Sequence, residues 1–85
     1  MKRFLYKITD LLGIHARPAG LLVKEASSFE SRVKIIRGEK EVDAKKIFGV
    51  MGLAVKYDED IEIVAEGPDE DAAVAKLEEF LKNNL

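Results

Sequence analysis

The chain has 85 residues, enough for one compact core and too few for a second. It is 47% apolar and 35% charged, a globular composition; with no cysteine and one histidine it offers no disulfide, no thiolate nucleophile and no ligand set for a metal such as structural zinc. Net charge is only -2, yet residues 1–46 carry eleven Lys and Arg against six Asp and Glu, and residues 47–85 carry three against ten. That division favours steering toward an acidic partner or an anionic group, and no aromatic-rich basic motif points to nucleic acid.

Phe4, Tyr6 and Ile8 alternate with Leu5 and Lys7, which predicts a first strand with one apolar face. Lys7, Thr9 and Asp10 interrupt this stretch before a signal-peptide core could form. No segment is long enough to enter and cross a membrane, so a cytoplasmic protein is expected.

The next stretch, Gly13-Ile14-His15-Ala16-Arg17-Pro18-Ala19-Gly20, holds the only histidine. Pro18 has no amide hydrogen and fits best in a first helical turn, where that donor would lack an acceptor anyway. His15 is therefore expected at or just before a helix start, where free amides and the helix dipole favour an anion by about 0.3 to 1 kcal/mol. Arg17 adds a guanidinium suited to forked contact with phosphate oxygens. Together these residues make a candidate phosphohistidine site: a nucleophile, a counter-charge and rigid placement. A lone histidine is as readily a surface or cap residue, and the residues alone leave both readings open.

Ala19, Leu22, Val23 and Ala26 mark the buried face of that helix, with Phe29 closing the core beyond it. Residues 32–37, a turn at Gly38-Glu39 and residues 40–43 predict a hairpin. A short helix is expected over Lys45 to Val55. At helical spacing Val50, Leu53 and Ala54 share one side and Ile47, Phe48, Met51 and Val55 another, so one set can pack on the sheet while the other faces solvent as a docking patch. Burial of both sides is the competing expectation. Gly49 and Gly52 each cost about 1 kcal/mol of helix stability, which implies close packing at both.

Ile61, Ile63 and Ala65 alternate with Glu62, Val64 and Glu66 in a strand over 60–66. A last helix follows Gly67-Pro68, with Asp69, Glu70 and Asp71 suited to its positive end and Ala73, Val74, Leu77, Phe80 and Leu81 as its buried stripe. The order βαββαβα, with short loops, predicts one α+β domain over 1–85: an antiparallel sheet covered on one face by helices.

The stretch Gly13 to Ala19, together with Lys45-Lys46-Ile47-Phe48-Gly49-Val50-Met51-Gly52-Leu53, resembles the two signature stretches of the HPr family, the histidine-containing phosphocarriers of the bacterial phosphoenolpyruvate-dependent sugar phosphotransferase system. The resemblance spans essentially the whole chain. It implies an open-faced β-sandwich of four antiparallel strands beneath three helices, and a carrier, not an independent turnover enzyme, that works without a cofactor. By that resemblance His15 accepts a phosphoryl group from enzyme I on its δ nitrogen and passes it to enzyme IIA components. Arg17 neutralises the phosphoryl oxygens, and the Ala16 and Arg17 amides cradle them. Ala16, Gly20, Lys46, Ile47, Phe48 and Met51 form the partner-docking surface. A carrier should hold its cargo in a shallow site, and a monomer is the expected state of a shuttle.

Two other readings stay open: a carrier for a nitrogen-related phosphotransfer branch, and a non-phosphorylated regulatory interaction module. The chain also departs from the family pattern. Lys46 stands where many members carry a regulatory serine, which removes that phosphorylation site and a helix cap worth about 0.5 to 2 kcal/mol unless Asp43 or a shifted boundary substitutes. Gly20 replaces a commoner polar residue, and Ala54 stands where glycine is frequent.

Overall fold

The computed structural model describes all 85 residues. In chain order the elements are β1 (Lys2–Lys7), α1 (Ala16–Ser27), β2 (Arg32–Arg37), β3 (Lys40–Asp43), α2 (Ile47–Gly52), β4 (Asp60–Glu66) and α3 (Glu70–Asn84). The strands form one antiparallel sheet in the order β1-β4-β2-β3, and the fold is an open-faced α+β sandwich. Alternation sets which side chains meet the helices. Ile61, Ile63 and Ala65 of β4 and Val33 and Ile35 of β2 are buried, and they join Ala19, Leu22 and Ala26 of α1, Val50 of α2, and Ala73, Leu77 and Leu81 of α3 in one core.

The other sheet face is polar and ion-paired, with Arg3 against Glu62 at 3.6 Å and Lys34 against Glu41 at 3.1 Å. Val64 lies there too, opposite Arg3 on one side and Lys34 on the other, and is nonetheless buried. Long cationic side chains can cover an apolar neighbour with their stems while their charged ends stay in water.

The division of charge along the chain does not become a spatial one. β4, from the acidic half of the chain, inserts between β1 and β2 of the basic half, so Arg3 of β1 meets Glu62 of β4, and Arg37 of β2 meets Glu59 just ahead of β4.

The middle helix is shorter than its periodicity predicts. It ends at Gly52; Leu53 is its C-cap, and Ala54 turns to a left-handed φ of 52°. Val55 is consequently buried in the core, not part of an exposed face, and Ala54 is exposed instead of sharing the inner side with Val50 and Leu53. Ile47, expected on the solvent side, is half-buried against the core. Gly49 approaches Val42, where an added Cβ would lie at 3.4 Å, but nothing lies within 4 Å of one added at Gly52, so close packing does not account for the second glycine.

The acidic start of α3 also differs from expectation. Asp69 is its N-cap residue, but the carboxylate makes no cap hydrogen bond and turns to the α1–β2 loop, leaving Glu70 and Asp71 in the first turn. At α2 the missing serine is not replaced: Asp43 accepts the Lys45 amide at 2.8 Å, ahead of the helix, and Lys46 is the N-cap with no side-chain cap bond.

Candidate functional site

The loop before α1 is fastened at several points. Ile8 and Ile14 are core residues, the Asp10 amide donates to the Leu85 carbonyl at 2.8 Å, and the Gly13 amide donates back to the Asp10 carbonyl at 2.9 Å. Gly13 has a φ of +68°, and a Cβ there would lie 2.7 Å from the Lys56 Cα, so neither the turn nor the packing accommodates a side chain. The Ile14 amide donates to the Val55 carbonyl at 3.0 Å. Val55 belongs to a segment held from below by Arg37, which donates to the Leu53 carbonyl at 3.1 Å and to Glu59 at 2.8 Å. Arg37 lowers the Glu59 carboxyl below its ordinary range, and the Lys56 amide adds to this.

Held in this way, His15 is the extended N-cap residue of α1, with φ -102° and ψ -179°. Its carbonyl accepts the Ala19 amide at 2.9 Å and its side chain makes no cap bond. The amides of Ala16 and Arg17 find no protein acceptor, and Pro18 has none to offer. Two donors thus stand free at the helix start beside the imidazole. The ring is 36% exposed and lines a shallow depression of about 190 Å³ with Asp10, Arg17, Pro18, Leu21 and Asn84. Arg17 is exposed and joins none of the ion pairs.

Asp10 was not singled out by sequence reasoning. Its Oδ1 accepts the Leu12 amide at 2.8 Å, and its Oδ2 lies 3.4 Å from His15 Nε2. The Leu12 amide, more than the histidine, holds the Asp10 carboxyl below the usual carboxylate range. The only signal in the sequence is an aspartate placed to cap the turn Asp10-Leu11-Leu12-Gly13. Leu21, 43% exposed at the rim, was also missed.

α2 packs beside α1. Of the candidate docking residues, Ala16 and Gly20 are exposed one turn apart on α1, and Lys46 is exposed at the α2 start. Phe48 is 88% exposed and Met51 39%, while Ile47 contributes only the part of its side chain that the core leaves uncovered. An imidazole reachable by solvent, with amide donors and a free guanidinium beside it, can accept and release a phosphoryl group without enclosing it.

A family model described as the phosphorylation site of the phosphotransferase system HPr component matches residues 2–83. The chain belongs to the HPr family. Among relatives in this family, the phosphocarrier protein HPr of Treponema pallidum is 42% identical over 79 residues, covering 93% of this chain and 90% of its own. A crystal structure of HPr from Thermoanaerobacter tengcongensis superposes with a TM-score of 0.94 at 37% identity, covering 98% of this chain and 93% of its own. A second crystal structure from that organism, an HPr dimer, gives a TM-score of 0.78 at the same identity, covering 98% of this chain and 95% of its own. No helix of this HPr-family chain is long and apolar enough to cross a membrane.

Proposed function

We propose that residues 1–85 act as one phosphocarrier domain of the phosphotransferase system, in which His15 accepts a phosphoryl group from phosphorylated enzyme I and yields it to enzyme IIA components. The observation that carries this reading is the solvent-reachable His15 ring at the α1 N-cap, beside two unpartnered amides and the unpaired Arg17. The family resemblance implies attack through Nδ1, and the turn of the other ring nitrogen, Nε2, to Asp10 supports that reading. The Nδ1 lone pair forms the N–P bond as the bond from phosphorus to the donor breaks, and that bond's electrons leave with the donor. The Ala16 and Arg17 amides and the Arg17 guanidinium then face the phosphoryl charge. The protein ends the exchange carrying the group, so it is a carrier and not a turnover catalyst.

Docking falls to the surface formed by Ala16, Gly20, Lys46, Ile47, Phe48 and Met51. An exposed aromatic and methionine supply adaptable apolar contact. Arg17, Lys24 and Lys46, all exposed and outside the ion pairs, supply charge for acidic partner surfaces. The protein works as a monomer in this reading. A Thermoanaerobacter relative crystallises as a dimer, and light scattering across a concentration series tests the monomer here.

The deciding experiment is incubation with enzyme I and labelled phosphoenolpyruvate. An acid-labile label should appear in the wild type, be absent from His15→Ala, and move on to an enzyme IIA component. A wild type that takes no label overturns the reading and leaves a non-phosphorylated interaction module.

A further inference from the structure

We infer that Asp10 is a positioning residue for His15: its carboxylate holds the ring proton on Nε2 and so presents a bare Nδ1 to the phosphoryl donor. The inference deepens the phosphocarrier reading and rests on it.

The geometry is set by the backbone. The Asp10 amide is tied to the Leu85 carbonyl at 2.8 Å, the Asp10 carbonyl accepts the Gly13 amide at 2.9 Å, and Oδ1 accepts the Leu12 amide at 2.8 Å. These contacts leave Oδ2 to face His15 Nε2 at 3.4 Å, and Nδ1 has no hydrogen-bond partner in the protein. An ionised carboxylate only accepts hydrogen bonds. The neutral tautomer with hydrogen on Nε2 makes a charge-assisted contact with it, whereas the other tautomer would set a nitrogen lone pair against an oxygen lone pair. The Leu12 amide also keeps the carboxyl below its ordinary range, so the acceptor stays ionised. Arg17, lining the same depression, is the other charged side chain there and is free to meet the incoming phosphoryl oxygens.

The same contact assists both directions of transfer. As Nδ1 bonds to phosphorus the ring becomes cationic with its Nε2 hydrogen retained, and the facing carboxylate offsets that charge. On onward transfer the N–P electron pair returns to Nδ1. The ring departs as neutral imidazole because Nε2 has kept its proton, and no imidazolate has to form. Contacts of this kind are often long in the resting state and tighten as the reaction proceeds.

The test compares wild type, Asp10→Asn and Asp10→Ala. Nitrogen-15 NMR of the His15 ring, recorded about two pH units above the ordinary histidine value, reports the tautomer ratio without any partner. The wild type should be predominantly protonated on Nε2. That preference should fall about fivefold or more in Asp10→Ala, as for the loss of one modest hydrogen bond. Asparagine still caps the Leu12 turn, so a fall in Asp10→Asn as well assigns the effect to the carboxylate and not to a loosened loop. Transfer from phosphorylated enzyme I should lose kcat at unchanged KM. Equal tautomer ratios in all three proteins would overturn the inference. A wild type with the expected ratio that takes no phosphoryl group would instead overturn the phosphocarrier reading on its own.

Discussion

Asp69 and Ser31, 38 positions apart, are joined through a single carboxylate oxygen: Asp69 Oδ1 accepts both the Ser31 amide, at 2.9 Å, and the Ser31 hydroxyl. The other oxygen accepts the Glu30 amide at 2.9 Å. Gly67, at φ +155°, brings the chain so close that an added Cβ would lie 2.7 Å from the Ser31 Cα. The residue that opens α3 thus fastens the loop joining α1 to β2. The Ser31 hydroxyl holds the Asp69 carboxyl below its ordinary value, with the Glu30 and Ser31 amides adding to this.

A lowered folded-state pKa means that the unfolded chain binds the proton more readily. The linkage then stabilises fully above the unfolded value, near 3.8, and is lost as pH falls through the lower folded value. Thermal melts from neutral pH into acid should show stability falling in that window for the wild type and falling less steeply for Asp69→Asn, which should also melt lower at neutral pH. Parallel curves would contradict the assignment.

Ala54→Gly should stabilise the protein. An alanine at φ 52° carries left-handed strain that glycine does not. Relief of that strain, less the added freedom of the unfolded chain, is worth about 1 kcal/mol. In a domain of this size that raises Tm by roughly 4 to 8 °C. The residue is exposed, so phosphoryl transfer should not change.

Gly13→Ala should do the reverse. The left-handed φ costs about 1 to 2 kcal/mol, and a Cβ driven against the Val55 carbonyl and the Lys56 Cα adds a backbone displacement of about 1 to 3 kcal/mol. Urea unfolding should show a combined loss above about 2 kcal/mol. Because Ile14 is pinned to Val55 next to His15, labelling by enzyme I should fall even where the variant is fully folded.

Lys46→Glu should slow phosphoryl transfer from enzyme I, mainly through association. The side chain is exposed and unpaired, so reversing its charge removes steering toward an acidic partner and leaves folding nearly unaffected. The deficit should reach about tenfold at low ionic strength and shrink as salt shortens the Debye length to about 3 Å near 1 M. Rates equal to wild type at low salt would remove Lys46 from the docking surface.

Phe48→Ala separates docking from stability. With Phe48 88% exposed, the substitution should leave urea stability within about 0.5 kcal/mol. The KM for enzyme I or an enzyme IIA component should rise about tenfold if the ring is a docking anchor. A large loss of stability with unchanged KM would identify it as a packing residue instead.

What the sequence alone determined is what depends on neighbours along the chain. Alternation over residues 4–8 and 61–65, the Gly38-Glu39 turn and the lack of an amide hydrogen on Pro18 place strands, hairpin and helix start within a few residues, because each acts through bonds to residues nearby. The placement of His15 and Arg17 at that helix start was legible for the same reason. Tertiary structure decided what depends on approach from elsewhere. The insertion of β4 between β1 and β2 mixed the two charge halves, the left-handed turn at Ala54 swung Val55 into the core, Ser31 drew Asp69 away from its own helix, and the folded turn at Gly13 carried Asp10 to the histidine. In each of these a polar or apolar group was satisfied by a partner whose position only the packed chain supplies.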